Sequence, residues 1–170
     1  DKFVKHKHWL AAGGMAALGT SAWAQSSVEM FGIVDVHINS ARSGATRLSR
    51  LEDGGSAASR IGFRGNEELG DGMSAFFTLE NGYRIDNGEV DVAGTLFNRQ
   101  AFVGLKTRAG ALSIGRQYTP WHQTLGQVAD PFVTGYAGTS KNLFPDSGTN
   151  VRTSNTIQYT APVMQGFTAD

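Results

Sequence analysis

The chain has no cysteine. Disulfides and thiolate metal sites are thereby excluded, and the redox compartment is left open. Proline is rare, at 4 of 170 residues, while glycine is frequent, at 22. Few prolines and many glycines fit tight turns and closely approaching strands rather than a helical protein. Neither charge is in excess, since 15 basic side chains balance 15 acidic ones. A nucleic-acid partner, which would call for Lys and Arg clustered on one face, is not expected. No segment is apolar over the ~20 residues that a membrane helix requires. The motifs of common enzymes are missing too: no G-x-S-x-G elbow, H-E-x-x-H helix, phosphate loop or dinucleotide fingerprint. Beyond residue 25 the only histidines are His37 and His122, far apart in sequence. The sequence therefore predicts no catalytic residue, no metal and no other cofactor.

What is present begins with an export signal. Lys2, Lys5 and Lys7 precede the apolar run Trp9–Leu18, and Ala22-Trp23-Ala24 then satisfies the small-x-small rule for signal peptidase. Residues 1–24 read as a signal peptide, with Gln25 as the mature start. The alternative, a membrane anchor, needs a longer run less diluted by Gly and Ser. Without Lys2, Lys5, Lys7 and Asp1, the counts of 15 and 15 become 12 basic against 14 acidic, a net of −2. The chain does not begin with Met and stops at Asp170 inside a strand-like pattern. It reads as the front portion of a longer protein.

Residues 28–38 alternate. Val28, Met30, Val34, Val36 and Ile38 fall on one side; Glu29, Asp35 and His37 fall on the other, with Phe31 and Ile33 as exceptions. A period of two predicts a strand with one oily and one wet face. The same pattern recurs in Ser59–Glu67, Met73–Arg84, Phe97–Lys106, Leu112–Tyr118 and Asn155–Ala161, and a seventh run begins at Phe167. Connections fall into two kinds. Glu68–Gly72, Thr107–Gly110 and Pro162–Gly166 are short and rich in turn formers. Ser40–Ala58, Ile85–Leu96 and Thr119–Thr153 are long and polar. Short and long alternate strictly. Periodicity alone also allows a secreted soluble β-domain, such as a sandwich or an adhesin module. Alternating tight turns and long loops are instead the habit of an antiparallel transmembrane β-barrel in an outer membrane. Closed strands are the non-helical way to satisfy the backbone in lipid.

Three arginines carry the informative charge. Arg60 lies on the wet face of its strand. Arg152 opens the sixth run, in phase with Ser154, Thr156 and Gln158. A charge on the lipid face costs ~2–4 kcal/mol near the bilayer centre, so both should face water, in a lumen or at a rim. Arg99 is in conflict, because its phase groups it with Ala101, Val103 and Leu105. A bulge between Arg99 and Ala101, or burial against a neighbouring subunit, would resolve this. The third long connection carries a helix signal. Thr119-Pro120 forms an N-cap and first turn, Trp121, Leu125 and Val128 form an apolar stripe, and Asp130-Pro131 forms a stop. A loop with its own apolar stripe should pack against something, and in a wide barrel that is the wall.

The stretches QSSVEMFGIVDVHI, SRIGFRGNEELGDGMSAFFTLE, FNRQAFVGL, LSIGRQYTP and RTSNTIQYTAP occur in order along residues 25–170. Together they resemble the general porins of Gram-negative outer membranes. The resemblance implies a homotrimer of sixteen-stranded barrels, of which this chain supplies about seven strands. Each barrel would hold a water-filled channel for passive diffusion of small hydrophilic solutes and ions, amid outer-membrane lipid and lipopolysaccharide. It also implies a third loop, about residues 119–153, folded inward to narrow the pore. Opposite that loop it places a basic wall of Arg60, Arg99 and Arg152. The family's acidic partners lie on the loop, where this sequence offers Asp130 and Asp146. Asp130 precedes its proline, whereas the family's acid follows one. Ile33 stands where some members carry a basic pore residue. The competing reading is an adhesin or structural barrel without an open pore.

Overall fold

The computed structural model describes residues 26–133, 151–164 and 169, with the side chains of Leu125 and Gln127 left aside. The expected export signal and the run beginning at Phe167 lie outside the described residues. The described residues are all-β apart from one short helix. The strands are β1 (Ser27–Ile33), β2 (Val36–Ser43), β3 (Thr46–Asp53), β4 (Arg60–Gly70), β5 (Met73–Gly82), β6 (Gln100–Thr107), β7 (Gly110–Tyr118) and β8 (Arg152–Thr160). Six of them form one antiparallel sheet in the order β1-β4-β5-β6-β7-β8, and β2 pairs with β3 in a second sheet.

The register shows why the alternation was so regular. Val28, Gly65, Phe77, Val103, Ile114 and Ile157 lie directly opposite one another from strand to strand. They make one apolar row across the whole sheet. A flanking row runs Ala75, Leu105, Leu112 and Tyr159, and another Met30, Phe63, Leu79 and Ala101. This face is exposed: Met30 keeps 67% and Ile157 70% of its surface. Among the described residues no hydrophobic side chain is fully buried, whereas the buried ones include Ser74, Glu80, Gln117 and Gln158. A soluble sandwich would bury its oily rows and wet its polar ones. Here the arrangement is inverted, as lipid on the oily side requires. At the short-turn end, the Tyr159 hydroxyl donates to the Ala109 carbonyl, an aromatic with an apolar body and a polar tip as interfacial belts use.

Short turns and long connections sit at opposite ends. Asp71 and Gly72 join β4 to β5 with φ of 53° and 77°. Two positive φ values make a type I′ turn, for which Asp-Gly is the preferred pair. Arg108-Ala109 joins β6 to β7, and the Thr107 hydroxyl accepts from the Ala109 N–H at 3.1 Å. Strand limits fall within three residues of those expected for five of the six runs that lie in the large sheet, the exception being the first.

That first run is corrected. The expected strand 28–38 breaks after Ile33, and the expected loop Ser40–Ala58 is mostly a hairpin, β2–β3, closed by Gly44-Ala45. Among the described residues eight strands are therefore present where six of the about seven expected runs fall. Val36 and Ile38 were read into the first strand, and beyond them Leu48 and Leu51 fall on opposite faces of β3, so no period of two marks the hairpin. Asp35 makes the kink. Its carboxylate accepts from the N–H groups of Ser56 at 2.8 Å and Ala57 at 2.7 Å. The fully buried Ser59 hydroxyl accepts from the Asp35 N–H and donates to the Asp35 carbonyl. The Ala57 and Ser56 N–H groups hold the Asp35 carboxyl below the usual carboxylate range. A depressed folded value stabilises above the unfolded pKa of about 3.9 and fails as pH falls through the folded value. Asp35→Ala should accordingly speed protease cleavage near Gly44 at neutral pH. Wild type should acquire the same sensitivity only in strong acid. Equal cleavage of the two proteins at neutral pH would refute this role.

Candidate polar site at the strand mouths

The long-connection ends of β4, β5, β6, β7 and β8 converge on one polar cluster. Its centre is Glu80, near the end of β5 and 4% exposed. Glu80 lies on the wet face, opposite Gly62 in β4 and Gln100 in β6. Its carboxylate takes a hydrogen-bonded ion pair from Arg99 Nε, accepts from Gln100 Nε2 at 2.8 Å, and lies 3.8 Å from Arg60 Nε. Arg99 is 7% exposed and also donates through Nη2 to the Tyr118 hydroxyl at 2.7 Å. Arg152 Nη2 donates to the same oxygen at 3.1 Å, and its guanidinium lies 4.6 Å from the Tyr118 ring centroid. Two like unit charges about 6 Å apart repel by roughly 3 kcal/mol at an effective dielectric of about 20. Glu80 and the phenol oxygen are what let three guanidinium groups share this space.

The structure thus brings Arg60, Arg99 and Arg152 together, but not by simple alternation. The β5–β6 ladder ends at the pair Glu80 and Gln100, so Arg99 lies just outside it. Arg99 precedes the first residue of β6, free of the strand's alternation, and its N–H donates to the Glu80 carbonyl at 3.2 Å. Arg152 is also not in simple phase with Thr156. The β7–β8 register slips between Gly115 and Gln117, and Asn155 has φ of 56°. The extra residue re-aims the strand mouth, as bulges beside functional sites commonly do. Gly115 itself holds φ of 138°, and a side chain there would fall on the Ala101 carbonyl oxygen. Ile33 pairs with Arg60 on the same face, so the first strand adds no charge there.

The third connection begins as expected. Thr119 caps a helix: its hydroxyl accepts from the His122 N–H at 3.1 Å, and its carbonyl from the Gln123 N–H at 3.1 Å. The helix, His122–Ala129, is wound as a π-helix rather than an α-helix. Its buried His122 ring stacks on Tyr118 at 4.6 Å between centroids. Of the apolar stripe, Trp121 is half-buried and Val128 remains 80% exposed, while the Leu125 side chain lies outside the described residues. Asp130 is buried and caps the next turn, its carboxylate accepting from the Phe132 N–H at 2.9 Å. Asp146 lies outside the described residues. Among the described residues Glu80 is an acid that meets the arginines, and loop-based reasoning missed it. Its signal was available, as a carboxylate on the wet face of MSAFFTLE. Among the described residues there is no group of His, Cys, Asp and Glu that could hold a metal ion.

Comparison with known proteins agrees with this layout. Residues 11–170 match the family described as Gram-negative porin. An outer membrane porin protein of Bordetella pertussis is 32% identical over 95% of this chain and 46% of its own length. Outer membrane porin protein 32 of Delftia acidovorans is 34% identical over 96% of this chain and 48% of its own. A solved anion-selective porin from Comamonas acidovorans superposes with a TM-score of 0.73 at 31% identity, covering 85% of this chain and 45% of that one. The chain spans about half the length of the curated relatives it matches. With the inverted sheet and the converging strand mouths, these matches make the chain a member of the Gram-negative porin family.

Proposed function

We propose that the whole protein is an outer-membrane porin: a homotrimer of sixteen-stranded barrels, each a passive channel for small hydrophilic solutes and ions. The observation that carries this reading is the inverted sheet, oily rows outward and a charged cluster at the mouths of its wet face. Fixed charges there set up a field where the passage is narrow, so polar solutes keep their solvation and apolar ones gain nothing. No step of chemistry or energy input is needed, and the protein is read as a channel rather than an enzyme. Arg60, Arg99 and Arg152 are the proposed basic wall, with Glu80 as its internal counter-charge. Asp130 and Asp146 remain the proposed loop acids. The relative named as anion-selective and the excess of arginine over acid in the cluster support an anion preference.

Purified whole protein in planar bilayers should give stepwise currents nearly linear in salt concentration. Absence of current from correctly assembled protein would favour a plugged or adhesive barrel. We further propose that residues 1–24 are the export signal. N-terminal sequencing of the outer-membrane form should then begin at Gln25, and recovery of intact Trp9–Leu18 would contradict it.

A further inference from the structure

Tyr118 occupies a place that its own chemistry does not demand. It carries no charge, yet it touches two of the three arginines. Its oxygen accepts from Arg99 at 2.7 Å and from Arg152 at 3.1 Å. A phenol oxygen has just two lone pairs to offer, so its acceptor capacity is filled by two cations. Its ring lies against the Arg152 guanidinium and also stacks on His122, the first residue of the loop helix. Strand β7 ends at Tyr118, and Arg152, which opens β8, is its partner across the ladder. One side chain therefore joins two wall arginines to the base of the third connection.

We infer that Tyr118 is a positioning residue that sets ion preference by fixing where Arg99 and Arg152 point. The inference rests on the channel reading above. The two arginines are not equally dependent on it. Arg99 has a second anchor in Glu80. Arg152 has no ion pair among the described residues, and its Nε is buried with no hydrogen-bond partner there. Loss of the phenol oxygen leaves Arg99 in place and releases Arg152. Repulsion from Arg99 then drives the freed guanidinium off its station, and its charge spreads along the lumen where salt screens it.

Three variants of the whole protein test this, with reversal potential in a salt gradient and heat stability of the assembled form both measured. Tyr118→Phe keeps the ring, its stack on His122 and its face toward Arg152, and removes only the hydroxyl. It should lower the anion-to-cation permeability ratio by about threefold, with heat stability unchanged. Arg152→Lys keeps the charge but loses the planar fork, and should lower the ratio similarly. The double variant should show no further fall, because both changes remove one contact. If Tyr118→Phe does not assemble, Arg152→Lys must still lower the ratio by itself. Additive effects, or a Tyr118→Phe channel with wild-type ion preference, would overturn the assignment while leaving the channel reading intact. A wild-type protein without current would overturn both, and is recognised before any variant is compared.

Discussion

On the proposed channel reading, replacing Arg60, Arg99 and Arg152 together by Gln in the whole protein should turn anion preference into cation preference. The cluster holds three guanidinium groups and one carboxylate, Glu80. Its charge passes from +2 to −1 when the three are neutralised. Three unit charges each about 10 Å from a passing ion contribute together roughly 1.2 kcal/mol in a water-like dielectric before screening. That corresponds to a change of nearly tenfold in relative partitioning. The reversal potential in a salt gradient should cross zero at about 0.1 M salt, where the Debye length is about 10 Å. The difference should shrink toward 1 M, where that length falls to about 3 Å. An unchanged reversal potential would show that the arginines only brace the wall. Among the single variants, Arg99→Gln should move selectivity least, because Arg99 is the most deeply buried of the three and is bound to Glu80.

Glu80→Gln should have the largest effect on stability. The carboxylate serves Arg99, Gln100 and Arg60 at once. An amide offers one acceptor and turns its own donors toward donors. Breaking a buried ion pair from one side typically costs about 3–5 kcal/mol, because the remaining charge is left unpaired. The variant should lose its folded gel mobility at lower temperature than wild type. Its channels should at the same time become more anion-preferring, since the cluster gains a net positive charge. Adding Arg99→Gln to Glu80→Gln should restore much of the heat stability, as the stranded charge is gone. A Glu80→Gln protein as heat-resistant as wild type would remove Glu80 from the centre of this account.

Much of this was legible in the residues. The oily rows through Phe77, Val103, Ile114 and Ile157 follow from alternation, because lipid offers one uniform demand along the whole strand. The Asp71-Gly72 turn and the Thr119 cap were readable because each rests on local backbone chemistry. The β2–β3 hairpin was not, since beyond Ile38 its large apolar residues, Leu48 and Leu51, are split between the two faces. The arginines were placed together by family resemblance, while alternation misassigned Arg99 and gave a phase for Arg152 that the β8 irregularity at Asn155 cancels. Periodicity describes a strand's middle, and these residues sit at strand mouths. Glu80 falls on the wet face of its run, but alternation does not make it a partner, because pairing across β4, β5 and β6 depends on register, which no single strand encodes.

The inverted sheet also sets how this protein can drift in sequence. In a soluble domain, interlocking core side chains resist exchange and the water-facing surface varies freely. Here the outward rows meet a fluid that has no fixed shape to match. Val103, Ile114 and Ile157 can trade among Val, Ile, Leu and Phe at little cost, provided that no charge enters. The constraint moves to the polar side, where Glu80, Arg99 and Tyr118 must fit one another atom by atom. Random variation that retains assembly should therefore accumulate on the oily face and be purged from the charged one, the reverse of the pattern by which a globular core is usually recognised.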